Sequence, residues 1–149
     1  MIKKLLFGAL LLLSSSAYAC CDLQFSEAIV RAPMPGVPNA AAFVSIENKS
    51  LNAKQLISAS SEVAERVELH NHIQEDGMMK MRRVASIEIQ GQQTVKLQPG
   101  GYHIMLFGLN KSLKEGESVS FLLTFSDEQT HQVQAVVQDL MSQHQHHHH

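Results

Sequence analysis

Two soft donors stand two residues apart in the run Gly100-Gly101-Tyr102-His103-Ile104-Met105-Leu106-Phe107. In an extended strand successive side chains point to opposite faces, so Tyr102, Ile104 and Leu106 would line the buried face and His103 and Met105 the other. An imidazole beside a thioether suits a soft metal: thioether selects Cu(I), and imidazole serves copper generally. More such donors lie upstream, at His70, His72, Met78, Met79 and Met81. Each also has a plainer reading. Met78 and Met79 fit hairpin packing, and His72 fits a solvated residue near a turn.

The elements that must carry these residues read as short strands. Val67 to His72 alternates apolar with polar, as a half-buried strand does. Asp76-Gly77 is a favoured two-residue hairpin turn, after which Met78 to Val84 returns. That turn sets Glu75 opposite Met78 and His72 opposite Met81, with His70 diagonal to Met81. A His-bearing strand, a Met-bearing return strand and a His-x-Met strand would together offer one mixed nitrogen–sulfur site. Thioethers suit an oxidising compartment, because they form no disulfides and have no proton to lose.

Other strands are expected at Ala28 to Val30, Ala40 to Glu47, Gln55 to Ser58, Ile87 to Ile89, Thr94 to Leu97, Ser118 to Phe125 and Val133 to Val137. Ala32 to Pro38 holds three prolines and must be a loop. Ser60-Ser61-Glu62 fits either a cap on a short helical turn through Ala64 or a simple loop. Many short strands, regular turn signals and no long amphipathic helix predict an all-β, antiparallel Greek-key sandwich or barrel.

The remaining composition narrows the function. The 149 residues suffice for one domain with a real core. Formal net charge is -2 without a basic run, and only 5% of residues are aromatic, which argues against nucleic acid as a partner. No serine sits in a nucleophile elbow, and the body lacks a zinc catalytic motif, so an enzyme is not expected. Nine His and seven Met in so short a chain point to metal instead.

Residues 1–19 read as a secretory signal: Lys3-Lys4, the apolar Leu5 to Leu13, and Ala17-Tyr18-Ala19 as the cleavage site. The apolar run is too short to span a bilayer, and no later segment is long enough. Cleavage after Ala19 would expose Cys20-Cys21, neighbours that cannot form an unstrained disulfide. An inconsequential end, acylation of Cys20 as a lipoprotein, and an accessory thiolate site all fit that pair. Residues 20–24 then form an N-terminal segment, 25–140 the β domain, and 141–149 a His-rich tail. His144, His146, His147, His148 and His149 could hold Cu(II), whether that tail is natural or a purification tag.

The spacing resembles a known family. Ten residues separate His70 from Met81, and twenty-one separate Met81 from His103-x-Met105, as in the periplasmic copper chaperones of the PCuAC type. Ala41-Ala42-Phe43, Val67-Glu68-Leu69-His70, Gly77-Met78-Met79-Lys80-Met81-Arg82 and Leu97 to Leu106 look like blocks of the same family. The resemblance implies a cupredoxin-like barrel binding one Cu(I) through His70, Met81, His103 and Met105. It also implies a periplasmic carrier that hands copper to an acceptor protein, such as a cytochrome c oxidase subunit or a thioredoxin-like assembly factor. A copper-sequestering or resistance protein would share the site. A blue-copper electron carrier would need a thiolate in the body, and both Cys precede it.

Overall fold

The computed structural model describes residues 22–139, and among them every regular element is a strand. The ten are β1 (Leu23–Arg31), β2 (Asn39–Asn48), β3 (Lys54–Ser60), β4 (Ala64–Glu75), β5 (Met78–Arg83), β6 (Ile87–Ile89), β7 (Thr94–Lys96), β8 (Tyr102–Leu109), β9 (Ser118–Phe125) and β10 (Thr130–Gln138). The expected signal segment, Cys20, Cys21 and the His-rich tail lie outside the described residues.

Hydrogen bonding joins the strands in the order β5-β4-β8-β2-β1-β10-β9-β3-β6, with β7 also on β2. The all-β expectation holds. One pair departs from the antiparallel pattern: β1 and β10 run parallel, Ile29 opposite Val136 and Arg31 opposite Gln138. The first and last strands therefore lie side by side and join the two halves of the sheet. Those halves close over a common core, since Ala42, Val44 and Ile104 share one small interior void with Phe121, Leu123, Val133 and Ala135.

Burial follows each strand's place. β9 alternates buried and less buried residues, with Val119, Phe121, Leu123 and Phe125 inward. β2 is buried on both faces over most of its length, as its near-continuous apolar run requires. Asn48, wholly buried at its end, donates to the carbonyls of Asn52 (2.8 Å) and Ile89 (3.0 Å) and accepts from the Ser50 hydroxyl (2.7 Å). A polar side chain is tolerated there because it replaces the missing ladder bonds of the turn.

β1 begins earlier than Ala28. A bulge between Ser26 and Ile29 puts Glu27 at φ 52°, which breaks the alternation that would reveal a strand. No helical turn forms after Ser60: β3 runs to that residue, and a tight turn at Glu62 and Val63 leads straight into β4. The β4–β5 hairpin closes as expected. Asp76 and Gly77 both take positive φ (54° and 73°), the conformation of the type I′ turn. Glu75 then faces Met78, and His72 faces Met81.

Candidate metal centre

Three adjacent strands, β5-β4-β8, carry the soft donors on the face turned away from the core. Leu69 of β4 pairs with Ile104 of β8, and both are buried in the core. By alternation their neighbours His70 and His103, which also pair, share the opposite face. Met105 lies opposite Glu68 on that face, and the hairpin register adds His72 and Met81. β2 continues it, with Ala41 opposite Met105.

His103 faces away from the core and is nonetheless only 2% exposed. His72 stacks on its ring with centroids 4.9 Å apart, and Phe43 lies 6.4 Å away on the β2 side. From the hairpin, the Met81 thioether reaches across β4 to put Sδ 2.9 Å from His103 Nε2. The result is a shallow groove walled by Arg31, Ala41 and Phe43 and lined by His72, Met79, Met81, His103 and Met105. Met79 (59%) and Met81 (43%) leave its mouth open to solvent.

The proton positions follow from the partners. His103 Nδ1 lies 2.9 Å from the Gly101 carbonyl, which can only accept, so Nδ1 donates to it. In the neutral ring Nε2 is then a bare lone pair. A thioether has no proton either, so the Nε2–Sδ approach brings two metal donors together without a hydrogen bond. Burial pushes the His103 pKa below its ordinary value; the Gly101 bond opposes this, and positive charge on His72 or His70 would add to it. Proton competition for Nε2 is thereby weakened. The same Gly101 carbonyl accepts the backbone N–H of His72 at 3.2 Å, which ties the turn before β8 to β4.

His70 is held differently. It is 8% exposed, with its ring 5.8 Å from both His103 and Phe107. Its Nε2 lies 2.9 Å from Glu68 Oε2, and its Nδ1 is buried without a hydrogen-bond partner. The bond from His70, with the Arg83 and Arg66 charges, holds the Glu68 carboxyl below the usual carboxylate range. Glu68 is therefore ionised and accepts, and His70 Nε2 carries the proton.

The four residues of the spacing motif thus come together on one face, with Met81, His103 and Met105 in the groove and His70 against it. Sequence reasoning left His72 and Met79 open; both line the groove. Alternation could have found them, since each lies two residues from a motif member on the same strand. The donors that line the groove are the imidazoles of His72 and His103 and the thioethers of Met79, Met81 and Met105.

Comparison with known proteins agrees with this architecture. A family described as "Putative lipoprotein LpqE-like" matches residues 23–137, the whole run from β1 almost to the end of β10. "Putative lipoprotein Lxx21020" of Leifsonia xyli subsp. xyli is 35% identical over 118 residues, covering 78% of this chain and 70% of its own. The copper-bound PCuAC domain from PmoF2 superposes with a TM-score of 0.69 at 22% identity, over 82% of this chain and 97% of that domain. The Cu(I) form of DR1885 from Deinococcus radiodurans gives 0.66 at 32% identity, over 83% of each chain. The chain belongs to the LpqE-like family, and its ten strands have the cupredoxin-like fold of the PCuAC domains.

Proposed function

We propose that this protein is an exported Cu(I) carrier that holds one ion between His70, Met81, His103 and Met105 and passes it to an acceptor protein. The observation that carries the reading is the bare Nε2 of His103, fixed by Gly101 and directed at the Met81 thioether. Neutral nitrogen and thioether donors match a soft monovalent ion, and a d¹⁰ ion such as Cu(I) imposes little geometry of its own on them. Two of the similar folds were solved with copper, one explicitly with Cu(I). The exposed thioethers at the mouth let an acceptor approach, which favours hand-off over sequestration.

The destination is proposed from the family resemblance: the periplasm, with an acceptor in cytochrome c oxidase assembly. The lipoprotein description of the family supports acylation of Cys20 as the means of retention after export. The deciding experiment is titration with Cu(I) against a competing chelator at neutral pH. One tight equivalent, lost in Met105→Ala while the fold persists, is expected. A variant with unchanged affinity would remove Met105 from the site, and absence of a tight equivalent in the parent chain would end the carrier reading.

A further inference from the structure

We infer that Glu68 is a positioning residue which fixes the tautomer of His70, so that His70 offers Nδ1, and not Nε2, to the metal. The inference rests on His70 being a ligand, as proposed above. The two carboxylate oxygens of Glu68 face different partners. Oε2 lies 2.9 Å from His70 Nε2, while Oε1 faces the Arg66 Nε at 3.1 Å and an Arg83 nitrogen at 3.8 Å. Each oxygen has its own partner, so rotation of the carboxylate would give up the His70 contact on one side and the Arg66 ion pair on the other.

The ring is confined as well. Phe107 lies against His70, and the Arg66 guanidinium sits over the other ring in turn, 4.7 Å from the Phe107 centroid. Arginine, phenylalanine, histidine and glutamate therefore form a closed box whose charged corner is Glu68. The side chains of His70 and Glu68 are only 10% and 13% exposed, so water competes weakly for their bond. A carboxylate flanked by two guanidinium groups accepts only, which leaves the proton of the neutral ring on Nε2.

The other nitrogen then explains itself. Nδ1 is buried and has no hydrogen-bond partner among the described residues. An N–H there would be a buried donor without an acceptor, which is costly. A lone pair there can serve as a metal donor, on the face shared with His103. Carboxylate–imidazole–metal chains of this kind orient the ring and raise its basicity, and loss of the outer partner typically lowers metal affinity by about 10–100-fold. Glu68 also places one negative charge beside a donor set that is otherwise neutral and would carry the ion's positive charge half out of water.

The test is nitrogen-15 NMR of the imidazoles in the full chain, first without copper and then with one equivalent of Cu(I). Without copper, the His70 shifts should report a protonated Nε2 and an unprotonated Nδ1; the opposite tautomer overturns the inference whether or not copper binds. With copper, the Nδ1 resonance of His70 should move more than its Nε2, and a larger move at Nε2 overturns it. Glu68→Gln keeps the size and a hydrogen bond but accepts or donates equally well. It should mix the His70 tautomers and weaken Cu(I) binding about 10–100-fold, with His103 still protonated on Nδ1. A folded Glu68→Gln with the parent tautomer and the parent affinity would make Glu68 structural only. Failure of the parent chain to bind Cu(I) would instead strike the carrier reading, since the copper-free tautomer is measured independently.

Discussion

Replacing Met81 by Leu separates the two roles a rim thioether could have. Leucine keeps nearly the same volume and apolar character, and at 43% exposure the site is far from a packed core. The cost to the metal-free fold should therefore stay within about 0.5 kcal/mol. No hydrogen bond is lost, because neither His103 Nε2 nor Met81 Sδ brings a proton to their 2.9 Å contact. An ion entering between the two donors requires Met81 to withdraw from its 2.9 Å contact with His103, an easy motion for an unbranched side chain with three rotatable bonds.

Loss of a direct ligand should weaken Cu(I) at least as much as loss of an outer partner, about 100-fold or more. Thermal denaturation at a chelator-fixed free Cu(I) reads this directly. At 100 times the parent Kd the ion stabilises the fold by about 2.7 kcal/mol, whereas a variant binding about 100-fold more weakly gains only about 0.4 kcal/mol. At about 4 °C per kcal/mol for a domain of this size, the parent should rise by roughly 11 °C and Met81→Leu by less than about 2 °C. Binding by the histidine tail does not interfere if it is equal in folded and unfolded chains, because such binding shifts no folding equilibrium. A full shift in Met81→Leu would remove Met81 from the site. An equal fall in the melting temperature of the metal-free variant would show that the thioether acts in packing.

Two further outcomes follow from the same geometry. Because burial lowers the His103 pKa, the unfolded chain binds more protons than the folded one between that value and 6.5. Metal-free stability should be full above pH of about 6.5 and fall as the pH drops through that window; urea midpoints at pH 7.5 and 5.5 should differ less in His103→Gln than in the parent. Deleting Gln143 to His149 should abolish binding of Cu(II), nickel and zinc without changing the Cu(I) affinity, as read by chelator competition. Loss of both would make tail and groove one site.

The parts of this architecture legible in the sequence are those set by local chemistry. Asp76-Gly77 dictates its turn, the turn dictates the Glu75–Met78 register, and period-two alternation puts His103 and Met105 on one face. What alternation cannot give is depth. His103 stands on the face away from the core, a position that ordinarily means exposure. It is buried because a neighbouring strand supplies His72 and a strand beyond that supplies Met81. The start of β1 was hidden for a related reason: the bulge at Glu27 is specified by its pairing with β2, where Ser45 donates to the Glu27 carboxylate at 3.2 Å. The parallel β1–β10 pair joins residues more than a hundred positions apart, beyond any local signal.

The same contrast bears on how a carrier can both hold and release its ion. His103 and His70 are locked from behind, by the Gly101 carbonyl and the Glu68 carboxylate, and are almost fully buried. Met81 reaches the site from the outermost strand of the order β5-β4-β8, on a hairpin whose far face is solvated. Rigid imidazoles on inner strands would fix where the ion sits, and a mobile thioether on the edge strand would be the bond an acceptor displaces first. Exchange should therefore respond most to Met81 and Met79 at the mouth, and resting affinity most to the tautomers set behind the histidines.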